Sequence, residues 1–260
     1  MKGMKRMKEM KVMKKILYIG VLLLASLSIQ AQDALEQANA AYSAGEFQTA
    51  LELYQQEIAE KGESATLYYN IGNCYYRLNK IASGILSYER SLLLDPGNKD
   101  ARFNLEIAKL KTVDRIEPLD EFFLTGWVRS IRNSISTDEW SCFSIVCFLF
   151  LVAGAFLFFF SRKIILKKIG FFSGLAFLIL VIFGNVFAYQ LKKELTNRNT
   201  AILLSPTTTI KSTPDNSGTD LFILHEGTKI EVKSKLGDWS EIETADGNVG
   251  WIRSSEIEII

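Results

Sequence analysis

Two long apolar stretches without a charged residue, separated by a short basic segment, constrain this chain more than any other feature. The first covers residues 141–161 and the second covers residues 169–189. Each has about the 20 residues that a helix needs to cross roughly 30 Å of hydrocarbon. They predict a transmembrane hairpin, which returns the chain to the side of the membrane where it began. The segments before and after the hairpin are therefore expected to face the same compartment.

The segment between the two stretches, residues 162–168, indicates which compartment that is. This predicted hinge carries four basic side chains and no acidic one, namely Arg162, Lys163, Lys167 and Lys168. Short loops rich in lysine and arginine remain on the cytoplasmic side of a membrane. The sequence therefore predicts a cytoplasmic hinge, with both flanking segments outside the cytoplasm.

The N-terminal residues 1–31 have the pattern of a secretory signal peptide: a basic leader, a short apolar run and small residues near Ala31. Cleavage after Ala31 is predicted, and a retained segment would become an anchor without changing the topology that follows. The chain has a formal net charge of +1, and the leader is strongly basic. The remainder is therefore net negative and offers no basic patch for nucleic acid. Its three cysteines do not form a disulfide framework.

Residues 32–118 repeat with a period of 34 residues. An offset of 34 places Asn39 on Asn73, Tyr42 on Tyr76 and Tyr54 on Tyr88. This period is the signature of tetratricopeptide repeats, in which each repeat is a pair of helices. The clearer repeat covers residues 65–98, with Gly72 where two helices approach closely and Pro96 where the second helix ends. A further first helix, over residues 99–111, is predicted to cap the stack.

Repeats of this kind stack into a superhelix with a concave face. In the family pattern, the first helix of each repeat lines that face, and the matching positions predicted to bind a peptide are Asn39, Tyr42, Tyr69, Asn70, Asn73, Tyr76, Arg77 and Asn104. Amide side chains donate and accept hydrogen bonds, so they can hold a peptide backbone of any sequence. The alternative is that these side chains pack and hydrogen-bond within the stack. No carboxylate clamp is predicted, because Thr66 and Asp100 occupy the positions of its basic residues.

Residues 119–140 are predicted to form a juxtamembrane amphipathic helix. Its apolar side chains fall on one face and include Phe123, Trp127 and Ile131. Such a helix either lies in the membrane interface or packs on the repeats. Thr137 is a candidate cap for the first span. The pair Gly170 and Gly174 has the spacing of a helix-packing motif, but coincidence is the favoured interpretation.

After a linker of residues 190–198, short apolar runs alternate with turn residues over residues 199–260, which predicts an all-β unit. The predicted strands cover residues 200–204, 208–212, 229–236, 240–243 and 249–252. The strings LFILHEGTK, GDW and GWI resemble a bacterial SH3 domain. Trp239 and Trp251 are expected either to form a ligand-binding surface or to serve as packing. The single histidine, His225, is expected to be structural.

The predicted fold class is therefore multi-domain, with an all-α tetratricopeptide superhelix, a two-helix transmembrane hairpin and an all-β SH3-like barrel. The sequence contains no paired carboxylates, metal-ligand cluster, phosphate loop or catalytic triad at a credible spacing. No enzymatic activity, cofactor or metal is predicted.

The order of these parts, together with the strings DARFNLEIAK and LFILHEGTK, resembles the BatE family of the Bacteroides aerotolerance operon along essentially the whole chain. The resemblance implies an inner-membrane protein with periplasmic repeat and SH3-like modules. It also implies a role in oxidative-stress tolerance and three partners: von Willebrand A-domain membrane proteins, a sister repeat protein and, indirectly, a MoxR-type ATPase. Two hypotheses follow, a membrane-anchored interaction scaffold and an envelope sensor or anchor whose SH3-like domain binds peptidoglycan.

Overall fold

A pair of antiparallel helices with the predicted repeat length begins the described part of the chain. The computed structural model describes residues 34–116 and 122–260, so the predicted signal peptide lies outside the described residues. The chain divides into two units, residues 1–63 and 64–260. In the first unit, α1 is helical over residues 34–43 and α2 covers Phe47–Lys61. Gly45 connects them with a φ of +84°, a left-handed conformation that glycine adopts without strain.

The second unit contains the remaining helices, which are α3 (Ala65–Arg77), α4 (Ile81–Leu94), α5 (Lys99–Lys109), α6 (Phe123–Arg132), α7 (Thr137–Phe160) and α8 (Ile164–Thr196). The pair α3–α4 repeats a hydrogen bond of the pair α1–α2. The Tyr54 hydroxyl donates to Asn39 Oδ1 at 2.6 Å, and the Tyr88 hydroxyl donates to Asn73 Oδ1 at 2.7 Å. Gly72 permits the close approach of α3 and α4, because a Cβ there would lie 2.6 Å from the Tyr88 ring. Equivalent contacts in the two helix pairs use the same residue types 34 positions apart, which explains the 34-residue period of the sequence.

Seven antiparallel strands follow the helices, namely β1 (Thr200–Leu203), β2 (Thr207–Lys211), β3 (Asp220–His225), β4 (Lys229–Leu236), β5 (Trp239–Thr244), β6 (Val249–Arg253) and β7 (Ile257–Ile259). They form one sheet in the order β3-β2-β6-β5-β4-β1-β7. The five predicted strands are present. Strands β3 and β7 were not predicted, because β3 carries apolar side chains on both faces and β7 is very short. The helical N-terminal region, two apolar helices and antiparallel sheet confirm the predicted fold class.

The two apolar helices are longer than the predicted spans. Only residues 161–163 between them are non-helical, so Lys167 and Lys168 lie in α8 and not in an extended hinge. Most of the predicted linker 190–198 is also helical, because α8 continues to Thr196. Lysine and glutamate are good helix formers, so the end of an apolar run does not end the helix.

The start of the first apolar helix also differs by one residue from the prediction. Its N-cap is Ser136 and not Thr137, and Glu139 completes a capping box by accepting a hydrogen bond from the Ser136 backbone N–H at 2.8 Å. The preceding helix α6 is shorter than predicted, because Asn133 ends it and a turn leads into this cap.

Small residues bring α7 and α8 together. A Cβ at Gly170 would lie 2.6 Å from the Gly154 carbonyl oxygen and 2.8 Å from the Phe158 backbone nitrogen. The interpretation of the Gly170–Gly174 spacing as coincidence was therefore wrong for Gly170. Ser144 of α7 joins the helices nearer their open end, because it accepts a hydrogen bond from Asn185 Nδ2 at 2.6 Å and donates to the Val181 carbonyl oxygen at 3.4 Å.

Candidate interaction surfaces and the junction between them

The amide side chains predicted to bind a peptide are largely engaged within the fold. Asn73 Oδ1 accepts hydrogen bonds from the Tyr88 hydroxyl at 2.7 Å and from Asn104 Nδ2 at 2.8 Å. This three-residue network connects α3, α4 and α5. Asn39 is engaged in the same way with Tyr54 in the first unit. Asn39 thus hydrogen-bonds within the first unit and Asn73 and Asn104 within the second, as the alternative describes, and peptide binding by these three residues stays a prediction.

Four other predicted residues lie on α3 and form a candidate peptide surface, although Tyr69 and Tyr76 also pack against the apolar core around Tyr88. Tyr69, Asn70 and Tyr76 are half-buried and Arg77 is exposed. The Lys111 ammonium group lies 4.1 Å from the Tyr76 ring centroid, within the range of a cation–π interaction. Aromatic rings and an amide on one helix offer both apolar contact and backbone hydrogen bonds to an extended peptide. In the first unit, the predicted residue Tyr42 packs edge-on against Phe47, with 5.3 Å between the ring centroids.

The two predicted tryptophans of the barrel lie on one face of the β5–β6 ladder. Trp239 pairs with Arg253 and Glu241 pairs with Trp251, which makes the tryptophans diagonal neighbours. Both are half-buried. The Arg253 guanidinium carbon lies 4.9 Å from the Trp239 ring centroid, and Arg253 also donates to Asn216 Oδ1 at 2.6 Å. Arg253 thus holds the Trp239 ring against the loop between β2 and β3.

That loop is ordered around Asp215. The Ser217 hydroxyl and the Ser217 backbone N–H donate to Asp215 Oδ1 at 2.6 and 2.7 Å. Hydrogen bonds from the side chains of Ser217 and Thr213 hold the pKa of Asp215 below its ordinary value, although this carboxyl group is exposed. The surface formed by Trp239, Trp251 and this loop is therefore preorganised.

Sequence reasoning missed a contact that joins the repeat helices to the barrel. One apolar core contains side chains from α4, α5, β1 and the C-terminal residue, namely Ile85, Leu86, Tyr88, Leu105, Ala108, Ile202 and Ile260. The turn between β3 and β4 closes on this core at Gly227. A Cβ on Gly227 would lie 2.7 Å from Thr112 Cγ2 and 3.1 Å from Ile85 Cδ1. We call this contact the repeat–barrel junction.

A buried carboxylate lies at the centre of the junction. Glu89 of α4 accepts a hydrogen bond from Lys229 Nζ of β4 at 2.7 Å and pairs with Lys109 Nζ of α5 at 3.5 Å. Only 9% of the Glu89 side chain is exposed. Burial alone would raise the pKa of Glu89, but the charges of Lys229 and Lys109 and their hydrogen bonds outweigh burial and hold that pKa below its ordinary value. Glu89 therefore remains ionised between two lysines.

A second carboxylate anchors the turn between β3 and β4. Asp114 accepts hydrogen bonds from the His225 backbone N–H at 2.6 Å and from the Thr228 hydroxyl at 2.8 Å. His225 Nδ1 lies 2.8 Å from the other Asp114 oxygen. Burial would raise the pKa of Asp114, but these hydrogen bonds outweigh burial and lower it. The expectation that His225 is structural fits this arrangement.

One signal in the sequence was available for Glu89. It lies four residues after Ile85 and three before Leu92, on the apolar stripe of α4 that faces the junction. A charged residue on such a stripe requires a partner, because an unpaired buried charge is costly. The identity of that partner was not readable, because Lys229 lies 140 residues further along the chain.

The remaining predicted residues are the four basic side chains expected to determine membrane topology. Arg162, Lys163, Lys167 and Lys168 are exposed at the closed end of the α7–α8 hairpin. Residues 34–116 and 122–260 contain no group of three or more His, Cys, Asp or Glu side chains that could hold a metal ion. Burial raises the pKa of Cys74 to about 11, which suits a small packing residue and not a reactive thiol.

Comparison with known families identifies both modules. Residues 206–258 match the bacterial SH3 domain, and residues 65–98 match the tetratricopeptide repeat. Comparison with curated proteins gives no match. Both modules are typical of non-catalytic proteins that bind other proteins or peptidoglycan.

Proposed function

We propose that this chain is a membrane-anchored interaction scaffold in which the repeat helices α3 to α5 and the barrel act as one body. The observation that carries the proposal is the repeat–barrel junction, in which Ile85 precedes the two apolar helices and Ile202 follows them. A shared core between these segments requires both on the same side of the hairpin. Two binding modules held in one body present two contacts at a fixed spacing, so weak contacts reinforce one another.

The hairpin supports the membrane part of the proposal. The helices α7 and α8 have 24 and 33 residues, and only 17% of the most apolar window of each is buried within the fold. A core helix of a soluble protein would be mostly buried, so these faces suit lipid. The basic closed end favours a cytoplasmic position, with the repeat–barrel body in the periplasm.

The resemblance to the BatE family supplies candidate partners. It supports a membrane complex with von Willebrand A-domain proteins and a sister repeat protein, linked to tolerance of oxidative stress. With three non-helical residues at the closed end, residues 161–163, the hairpin offers little surface to a cytoplasmic MoxR-type ATPase. We propose that another membrane protein relays the action of that ATPase.

The α3 surface is tested by capture of a defined partner. The full-length chain carries Asn70→Ala and Tyr76→Ala, is crosslinked in membranes and purified, and the co-purified von Willebrand A-domain protein is quantified. We expect recovery to fall several-fold relative to the unsubstituted chain. The control is Gln56→Ala, an exposed amide on α2. Undiminished recovery with the double variant, at unchanged thermal stability, contradicts the assignment of the surface.

A second function is favoured by the preorganised tryptophan surface of the barrel, namely binding of peptidoglycan. The test uses the full-length chain in detergent, because an isolated barrel would expose Ile202, which is fully buried in the junction. We expect co-sedimentation with cell-wall sacculi that is reduced by Trp251→Ala and unchanged by Lys235→Ala on the exposed end of β4. Absence of the full-length chain from the sacculus pellet removes this function.

A further inference from the structure

We infer that α6 lies in the outer boundary of the bilayer and holds the repeat–barrel body against the membrane surface. This inference rests on the membrane anchor of the proposed function and adds a second lipid contact to it. The occupant of the exposed face of α6 is therefore the boundary between lipid headgroups and acyl chains.

The apolar side chains of α6 are all on one side and are exposed, and the Phe123 ring contacts the ring of its exposed neighbour Phe122. The exposed fractions are 73% for Phe123, 45% for Leu124, 65% for Trp127, 46% for Val128 and 39% for Ile131. Their spacing places them within about 140° of the helix circumference, at 100° per residue. No residue of α6 is buried. An exposed contiguous patch of large apolar side chains marks an interaction surface.

The C-terminal end of α6 faces the rest of the second unit. Ser130 and Asn133 line a cavity with Arg102 and Phe103 of α5. The Asn133 carbonyl oxygen lies 3.5 Å from an Arg102 guanidinium nitrogen. The alternative from the sequence was that the apolar face packs on the repeats. The structure instead places the C-terminal end of α6 next to α5 and leaves the apolar side chains exposed.

The C-terminal end of α6 is fastened to the outer ends of both apolar helices. The Trp140 indole N–H of α7 donates to the Arg132 carbonyl oxygen at 2.8 Å, and Arg132 Nη1 pairs with Glu194 Oε1 of α8 at 2.7 Å. Trp140 also forms a small core with Phe187 and Leu191 of α8. Tryptophan at the end of a span prefers the headgroup level. These contacts set the depth of α6 at that level.

Continuity of the apolar surface identifies lipid as the occupant. The hydrogen bond from Trp140 and the ion pair with Glu194 place the C-terminal end of α6 beside α7 and α8, which the bilayer covers in the proposed anchor. A helix with large aromatic residues on one side and arginines on the other is typical of helices that lie in the plane of the interface. Burial of that face is favourable by roughly 25 cal/mol for each Å² of apolar surface removed from water.

The test measures the depth of three spin labels in the full-length protein, reconstituted in liposomes of phosphatidylethanolamine and phosphatidylglycerol. The three native cysteines are replaced by alanine. Labels are then placed singly by Trp127→Cys on the apolar face, Thr125→Cys on the opposite face and Leu149→Cys in the middle of α7. Collisions with oxygen report lipid exposure, and collisions with a water-soluble nickel complex report exposure to water. Circular dichroism establishes that each labelled protein is folded.

We expect the labels at positions 127 and 149 to collide several-fold more with oxygen than with the nickel complex, and the label at position 125 to do the reverse. If only position 149 is in lipid, the anchor stands and the inference is overturned. A label at position 127 that is shielded from both reagents indicates a protein partner or a second copy, and it also overturns the inference. A water-exposed label at position 149 removes the anchor and the inference together.

Discussion

The repeat–barrel junction and the α7–α8 hairpin both join distant parts of the chain, but they do so by opposite means. The junction buries whole aliphatic side chains and the ionised carboxylate of Glu89, whereas the hairpin brings backbones together at glycine and adds weak hydrogen bonds of Asn185 and Ser144. Water drives apolar side chains together at the junction. In the proposed membrane anchor, lipid gives no such drive between helices, so close backbone packing would hold the hairpin. The environment thus determines which residue types stabilise each contact.

The largest loss of stability is expected when the shared core is broken. Ile202→Ala removes a fully buried side chain at the junction. We expect a loss of about 2 to 5 kcal/mol in the free energy of unfolding. The control is Ile223→Ala on β3, where 55% of the side chain is exposed. Hydrogen exchange should show faster opening of both α4 and β1 in the Ile202 variant, and opening of the barrel alone would contradict a shared core.

The next largest effect is expected when the buried charge of the junction loses its nearest partner. Lys229→Met leaves Glu89 with Lys109, whose ammonium group is 3.5 Å away. We expect a loss of about 3 kcal/mol, because a buried carboxylate becomes poorly compensated. Lys235→Met changes an exposed lysine of the same strand and should cost little. Urea unfolding in mild detergent measures both variants. Equal stability of the two would show that the ion pair is dispensable.

Acid should weaken the junction through the same carboxylates. The pKa values of Glu89 and Asp114 lie below their ordinary values of 4.5 and 3.8 in the folded chain. Their contribution to stability is therefore fully present above those ordinary values and is lost as the pH falls through the lowered ones. Unfolding measured between pH 6 and pH 3 should show this loss, and Glu89→Gln should reduce it. An unchanged acid dependence in that variant would assign the loss to other groups.

The hairpin should respond to a single methyl group, but only at one glycine of the pair. Gly170→Ala places a Cβ 2.6 Å from a backbone oxygen, whereas the nearest atom to a Cβ at Gly174 is Leu151 Cδ1 at 3.8 Å. We expect Gly170→Ala to cost about 1 to 3 kcal/mol by overpacking. Gly174→Ala should be neutral. Electron spin resonance distances between labels on α7 and α8 should increase in the first variant only, and equal behaviour would contradict the asymmetry.

The smallest effect is expected at the polar contact of the hairpin. Asn185→Leu removes the hydrogen bond to Ser144 Oγ. Such bonds between membrane helices contribute about 0.6 kcal/mol on average, far less than the ion pair at the junction. Unfolding in mixed detergent micelles at increasing fractions of dodecyl sulfate measures the difference. A loss of stability as large as that of Lys229→Met would contradict the expected difference between the hairpin and the junction.

The sequence was sufficient wherever the signal was local and periodic. The 34-residue offset predicted the Asn73–Tyr88 equivalence with Asn39–Tyr54, and uninterrupted apolar runs predicted α7 and α8. Residue charge was a less reliable guide to the ends of helices. Lys167 and Lys168 suggested a loop, but the backbone there is part of α8.

No local or periodic signal in the sequence predicted the repeat–barrel junction. Its ion pair joins residues 140 positions apart, and nothing near Glu89 specifies Lys229. The same applies to the candidate binding surface on α3. Asn70 and Asn73 have the same side chain on one helix, but only the fold shows that Asn73 is taken up by Tyr88 and Asn104. Residue type therefore predicted which face of α3 carries the amide side chains, but not which of them hydrogen-bonds within the fold.

In the proposed membrane anchor, the position of the hairpin between the two halves of the junction also bears on biosynthesis. The repeat helices emerge from the ribosome before α7 and α8, and the barrel emerges after them. The α4 stripe with Ile85 and Glu89 must therefore wait uncovered until both apolar helices have been inserted. A chain that inserts only one of them separates Glu89 from Lys229 by a bilayer and cannot close the junction. The junction would therefore close only in chains that have inserted both apolar helices. A protease that cleaves exposed repeat helices would remove the chains that have inserted only one.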